Sequence, residues 1–102
     1  MSEYAMTAVI ASREYTFEAG DETAQILVEI GAPARTPEKP EVWYCPWIIR
    51  RPGRTESLHS LGVDPVHALT GALSVVRMAL QYTANKGRLT FQGEEGVFID
   101  LR

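Results

Sequence analysis

Cysteine is scarce in this chain. Cys45 is the single cysteine among 102 residues, so no disulfide can form within the chain. Small secreted domains often depend on disulfides, and this scarcity therefore favours a reducing compartment such as the cytoplasm. The N-terminus also lacks the basic region and apolar run of a signal peptide. The longest stretch free of formal charge, residues 65–76, is too short to cross a bilayer. We therefore expect a cytoplasmic protein without a membrane-spanning segment.

Basic residues are also in the minority. The formal net charge is −3, which argues against general binding of nucleic acid because that needs a broad basic surface. Hydrophobic residues make up 45% and charged residues 23% of the chain, as in ordinary globular proteins. This length and composition predict a single domain over residues 1–102.

Motifs that carry chemistry are missing as well. The sequence contains no GxSxG, no HExxH, no EF-hand loop and no glycine pattern that would cradle a phosphate. Cys45, His59, Asp64 and His67 match no standard zinc spacing. We therefore expect no metal site, no cofactor and no catalytic residue.

What is present first is a β-rich half. Residues 5–18 predict a strand with an irregularity near Ser12, and 20–22 predict a turn. In the next run, Ile26, Val28 and Ile30 alternate with other residues and are predicted to face the core. Residues 42–50 form a third run, in which Pro46 predicts an edge position or a bulge. Residues 51–54 (RPGR) are typical of a type II turn, which would return the chain to a strand over about 55–61.

A long helix follows, predicted over about 65–85. Asp64 is a favourable N-cap and Pro65 suits the first helical position. Gly87 could take the left-handed cap after the helix. Residues 88–91 and 97–101 then predict a hairpin, or one strand and a tail. The predicted architecture is α+β: an antiparallel sheet of about four to six strands with one helix packed on one face.

The predicted helix carries little charge. Arg77 is the one formally charged residue between Pro65 and Asn85, whereas a surface helix usually has a wide charged face. Gly71 within the helix costs about 1 kcal/mol relative to alanine, which a close backbone approach would explain. The helix is therefore either well buried within the domain or covered by a partner.

Basic and aromatic residues lie close together in the sequence around the turn at 51–54. Such groups are enriched at protein interfaces, although an ordinary charged hairpin end with buried tryptophans remains the alternative. The candidate interface consists of Arg50, Arg51, Arg54, Trp43 and Trp47.

Cys45 and His67 define a second candidate site. A pocket between helix and sheet near Trp43, Cys45, Trp47 and His67 could bind a small ligand or carry an enzymatic activity. Since Cys45 alternates with two tryptophans, an inert buried thiol is the alternative interpretation.

Three segments carry a family resemblance: WYCPW at 43–47, GVDPVHAL at 62–69 and AL at 72–73. With these residues the chain resembles a group of small uncharacterised bacterial domains, which share a Trp-x-Cys strand, Gly-x-Asp and an Ala-Leu-rich helix. His67 departs from the glutamine common in that group. The resemblance implies no activity and no functional residue. By analogy of size and layout, it also suggests immunity or accessory proteins encoded beside toxins.

These observations favour a non-enzymatic protein-interaction module, immunity-like or accessory, that binds another protein or itself. Two alternatives remain open. One is a small-ligand-binding or enzymatic domain with the pocket described above, and the other is a structural homo-oligomer closed by the helix or an edge strand.

Overall fold

The protein is one antiparallel sheet with a helix lying across one face. The computed structural model describes residues 4–6 and 8–101. The elements are β1 Val9–Ala19, β2 Glu22–Gly31, β3 Ala34–Arg35, β4 Trp43–Arg51, β5 Arg54–Gly62, α1 Pro65–Ala84, β6 Arg88–Phe91 and β7 Glu94–Glu95. The α+β class is confirmed. The sheet of the described residues has seven strands rather than four to six, because β3 and β7 are two-residue strands that leave no sequence pattern. Residues 1–3 and Thr7, which belong to the predicted N-terminal segment and first strand, lie outside the described residues.

The strands follow the order β5-β4-β2-β1-β6-β7, and β3 continues beside β4 where β2 ends. Gly20 turns the chain from β1 into β2 with a φ of 62°. The register of that hairpin shifts between Val9 and Ala11, close to the irregularity predicted near Ser12. Ile26, Val28 and Ile30 are buried, which confirms the predicted inward face of β2.

Of the two alternatives that Pro46 predicted for β4, an edge position or a bulge, the edge position is wrong. β4 pairs with β5 along its whole length on one side, and with β2 and β3 on the other. Pro46 falls between these last two ladders, so its missing N–H costs no ladder bond there. Gly31 passes this point, where a Cβ atom would lie 2.6 Å from Cγ of Pro46. The gap between these two ladders thus allows a proline inside a central strand.

Both faces of β4 are covered. Cys45, Trp47 and Ile49 point into the core beneath the helix. On the other face Tyr44 and Pro46 are also buried. Here the Tyr44 hydroxyl donates to the carbonyl oxygen of Ala5 at 3.1 Å. The N-terminal segment therefore covers the Tyr44 end of β4 on the face away from the helix.

The helix begins where the sequence predicts. The carboxylate of Asp64 accepts a 2.7 Å hydrogen bond from the backbone N–H of His67, and Pro65 occupies the first turn. The helix ends at Ala84 with Asn85 as its cap, in right-handed conformation. Gly87 does not provide the left-handed cap. A Cβ there would lie 2.5 Å from the carbonyl oxygen of Glu18, so close packing on β1 requires this glycine.

The helix crosses the sheet diagonally. Near its start, a Cβ at Gly62 of β5 would lie 2.4 Å from the backbone nitrogen of Ala68. Just after its end, Gly87 packs against Phe17 and Glu18 of β1. The most buried helix positions are Ala68, Ala72, Val76 and Leu80. Two alanines in this row let the helix approach the β5 side closely, and a diagonal helix leaves two corners of the sheet uncovered.

The C-terminal residues form a hairpin that differs from the predicted one. Gln92 and Gly93, both with positive φ, make the turn between β6 and β7. Residues 97–101 are not a strand. Instead, the Tyr15 hydroxyl donates to the carbonyl oxygen of Val97 at 2.6 Å, and Val97 and Ile99 pack on the core. The segment thereby covers part of one open corner of the sheet. No helix in the described part of the chain is long and apolar enough to cross a membrane.

Candidate functional site

The three arginines of the β4–β5 hairpin lie on two faces of the sheet. Arg51 pairs with Arg54 and both project on the helix side, as does Glu56 two residues further along β5. Arg50 projects on the opposite side, where its Nε lies 2.7 Å from Oε1 of Glu29. The alternation of side chains along β4 therefore separates a cluster that looks continuous in the sequence.

The two tryptophans of the candidate interface are not at the turn. Trp47 is 2% exposed and belongs to the core, where its indole N–H has no hydrogen-bond partner among the described residues. Trp43 is half-buried at the other end of β4, with the guanidinium of Arg35 lying 4.8 Å from its ring centroid. Of the five residues, the structure brings together Arg51 and Arg54.

These two arginines line an open groove, which we call the turn groove. It lies in the corner of the sheet between the β4–β5 turn and the C-terminal part of the helix, and its volume is about 550 Å³. The hairpin contributes Arg51, Pro52, Arg54 and Glu56; the helix end contributes Ala79, Tyr82, Thr83 and Lys86; and the floor is formed by Phe17, Ala19, Ala24 and Ile26.

The charged side chains of the turn groove differ in how firmly neighbouring groups hold them. Arg51 donates through Nε to Glu56 at 3.0 Å and through a terminal nitrogen to Oγ1 of Thr83 at 2.7 Å. Arg54 is 72% exposed in its side chain and approaches Glu56 only to 4.0 Å. Lys86 places its ammonium 4.2 Å from the Tyr82 ring centroid. Arg51 is thus held in place by two partners, while Arg54 and Lys86 present their charge at the groove mouth.

Cys45 and His67, the residues of the second candidate site, lie in different surroundings: the first is in the core and the second is exposed. Cys45 is fully buried and its thiol donates to the carbonyl oxygen of Gly31 at 3.4 Å. Burial raises the pKa of the thiol to about 11, so it stays protonated at neutral pH. His67 is exposed at the helix start, where its Nδ1 accepts from the backbone N–H of Val63 at 3.1 Å. Neither residue lines any of the grooves described here.

A second groove occupies the opposite corner of the sheet. It has a volume of about 240 Å³ and lies between the helix, β1, β2 and the C-terminal segment. Its lining is mostly apolar and includes Val28, Ile30, Leu73 and Phe98. This volume is below the range of about 300–1,000 Å³ that is usual for small-molecule sites. Within the described residues, no group of three His, Cys, Asp or Glu side chains is arranged to hold a metal ion.

Sequence reasoning missed the helix contribution to the turn groove. Tyr82 and Lys86 are separated from the hairpin by about 30 residues, and no local pattern links the two segments. The separation of Arg50 from Arg51, by contrast, follows from the two-residue period of any strand and could have been found.

Fold and site together define a one-helix α+β domain with an open groove of mixed basic and apolar lining. Residues 11–99 match the family described as a domain of unknown function (DUF6968). Because this match covers most of the chain, the protein belongs to that family, which confirms the resemblance to an uncharacterised domain family. No curated protein and no solved structure matches the chain.

Proposed function

We propose that the protein is a non-enzymatic interaction module and that the turn groove binds a segment of another protein. The observation that supports this proposal is the arrangement at the groove mouth, where Arg54, Lys86 and Tyr82 lie around an apolar floor. Arginine and tyrosine are, with tryptophan, the residues enriched at binding hot spots. An open groove with such a lining is better suited to binding a peptide than to enclosing a small molecule.

The charge of the groove indicates the chemistry of the partner. Three cations and the single carboxylate of Glu56 give its lining a formal charge of +2, against −3 for the whole chain. This local excess favours a segment with acidic side chains, while the floor at Phe17 and Ala24 favours an apolar side chain between them. The overall negative charge disfavours a nucleic acid as partner.

The proposal includes a bacterial, cytoplasmic setting and an accessory or immunity-like role. Support for a reducing compartment comes from Cys45, which is the single cysteine and is buried away from any second thiol. The accessory role rests on the analogy of size and layout alone.

The test is capture of partners from a lysate of the source organism by the tagged protein, followed by mass spectrometry. We expect one stoichiometric protein partner, released at raised salt because exposed charges carry the contact. The double variant Arg54→Gln with Lys86→Gln should lose it by tenfold or more. Arg50→Gln is the matched control, since it removes an arginine from the same hairpin on the opposite face. Equal capture by the groove variant and the control would refute the assigned surface.

A peptide library supplies a second, direct measurement. Random peptides selected on the protein should be enriched for acidic residues flanking an aromatic or aliphatic residue, and the groove variant should not select them. Enrichment of basic peptides, or the same peptides selected by the groove variant, would contradict the proposal.

A further inference from the structure

The outer edge of the sheet is formed by β5. This nine-residue strand pairs with β4 at every position from Arg54 to Gly62, and no other strand of the described residues lies on its far side. Edge strands of natural proteins are usually short, charged, bulged or interrupted by proline. β5 has no proline or bulge in its register, and its two charged residues, Arg54 and Glu56, lie near one end.

The ladder with β4 determines which backbone groups of β5 face outward. A two-residue turn closes the hairpin at the pair Arg51–Arg54, and hydrogen-bonded pairs alternate with non-bonded pairs from there. The odd-numbered residues of β5 therefore point their N–H and C=O groups to the free edge. Pro46 is paired with His59, an odd-numbered residue, so this pair is a non-hydrogen-bonded one. A proline, which has no N–H, fits the β4 side of such a pair. The outward residues are Thr55, Ser57, His59 and Leu61.

Exposed apolar side chains lie along this edge on the helix side. Gly71 packs above Ser60, where a Cβ would lie 3.3 Å from the serine Cβ. The helix runs antiparallel to β5, so two strand residues, about 7 Å, correspond to about four or five helix residues. Val75 is thus level with Leu58. Leu58 is 59% and Met78 is 65% exposed, and Tyr82 continues the same helix flank.

We propose that β5 pairs antiparallel with β5 of a second copy of this chain, about a twofold axis at Leu58. In this register each Leu58 faces its counterpart, Ser57 faces His59 and Thr55 faces Leu61. Glu56 meets Ser60, and Arg54 meets Gly62, so no like charges oppose each other. All nine residues of each strand take part, and the flanks at Val75 and Met78 converge above the axis. The resulting dimer has one continuous sheet. It shares Arg54 and Glu56 with the turn groove, but it is held by the backbone of β5 rather than by these side chains.

A disulfide at the axis tests this arrangement. In a non-hydrogen-bonded antiparallel pair the two Cα atoms lie about 4.5 Å apart, within the range that a disulfide spans. Leu58→Cys should therefore form a covalent dimer under mild oxidation. Ser57→Cys is the matched control, because each Ser57 faces His59 and lies too far from its own counterpart. Cys45 is buried and does not compete. Equal or faster cross-linking at position 57 would overturn the register.

The mass in solution provides the second test. At micromolar concentration, light scattering should give twice the mass of one chain, and Ser57→Pro should give a monomer with an unchanged circular dichroism spectrum. The backbone N–H of residue 57 points away from β4, so proline at this position removes a hydrogen bond to the partner strand and none to β4. Ser57→Ala keeps this N–H and should remain dimeric. A monomeric natural protein, or a dimer that survives Ser57→Pro, would overturn the proposal.

Discussion

Replacing Arg51 with alanine tests how the helix end is held over the sheet. Arg51 joins Glu56 of β5 to Thr83 of the helix, and the Thr83 hydroxyl in turn donates to the carbonyl oxygen of Ala79 at 3.1 Å. The side chain of Arg51 is 18% exposed, so its bonds are partly shielded from water. We expect a loss of about 1 kcal/mol from the Thr83 bond and about 1 kcal/mol from the ion pair.

The free energy of unfolding, measured by urea denaturation, should therefore fall by about 2 kcal/mol in Arg51→Ala, or roughly 8–16 °C in Tm for a domain of this size. Arg50→Ala is the matched control. Its side chain is 51% exposed, and Glu29 is its one ion-pair partner among the described residues, so its loss should stay below about 1 kcal/mol.

A double-mutant cycle separates the Thr83 contact from the rest. Thr83→Val should cost about 1 kcal/mol alone and much less in the Arg51→Ala background, which gives a coupling energy of about 1 kcal/mol. A coupling near zero, or an Arg51→Ala loss no larger than that of Arg50→Ala, would refute the view that this arginine holds the helix end.

Three further outcomes are expected. Gly62→Ala should lower the free energy of unfolding by at least about 1–3 kcal/mol, because the added Cβ would lie 2.4 Å from the backbone nitrogen of Ala68. A urea titration that shows no loss of stability would contradict this close approach. Asp64→Ala should cost about 1 kcal/mol by loss of the N-cap, whereas Asp21→Ala in the β1–β2 turn should cost much less, and similar losses would argue against the cap. Cys45 should react with iodoacetamide at pH 8 far more slowly in the folded protein than in urea. Because burial raises its pKa from 9.0 to about 11, the unfolded chain ionises first, and stability should fall as pH rises from 9 to 11; a Cys45→Ala variant should lack that part of the decline.

The elements that the sequence predicted well are those with a complete local pattern. Asp64 and Pro65 mark the helix start by capping chemistry, and the alternation of β2 marks its inward face. The proline of β4 misled because its tolerance depends on where two other strands end, which is tertiary information. The two-residue strands β3 and β7 carry no period at all, and the turn of the last hairpin lies at Gln92, a residue that rarely signals positive φ.

The candidate site was predictable only in part. Arg51 and Arg54 line a groove, as basic residues around a turn can, but Tyr82 and Lys86 come from the far end of the helix and meet them through the diagonal packing. Trp47 is distinguished from Trp43 by depth beneath the helix, although both lie on the same face of β4. Periodicity predicts on which face of a strand a side chain lies. How deeply each side chain on that face is buried depends on the path of the helix.

The diagonal helix also bears on the order in which the chain folds. The hairpins β1–β2 and β4–β5 close over short loops, whereas β6 reaches β1 only after the helix has carried the chain across the sheet. Thr16 then pairs with Thr90, 74 positions away in sequence, through a ladder of three residue pairs. Closing so long a loop for so few bonds makes this a late step in folding. In hydrogen exchange, the amides of β6 should open ahead of those in β2 and β4, so that the sheet loosens first at the strand it acquires last.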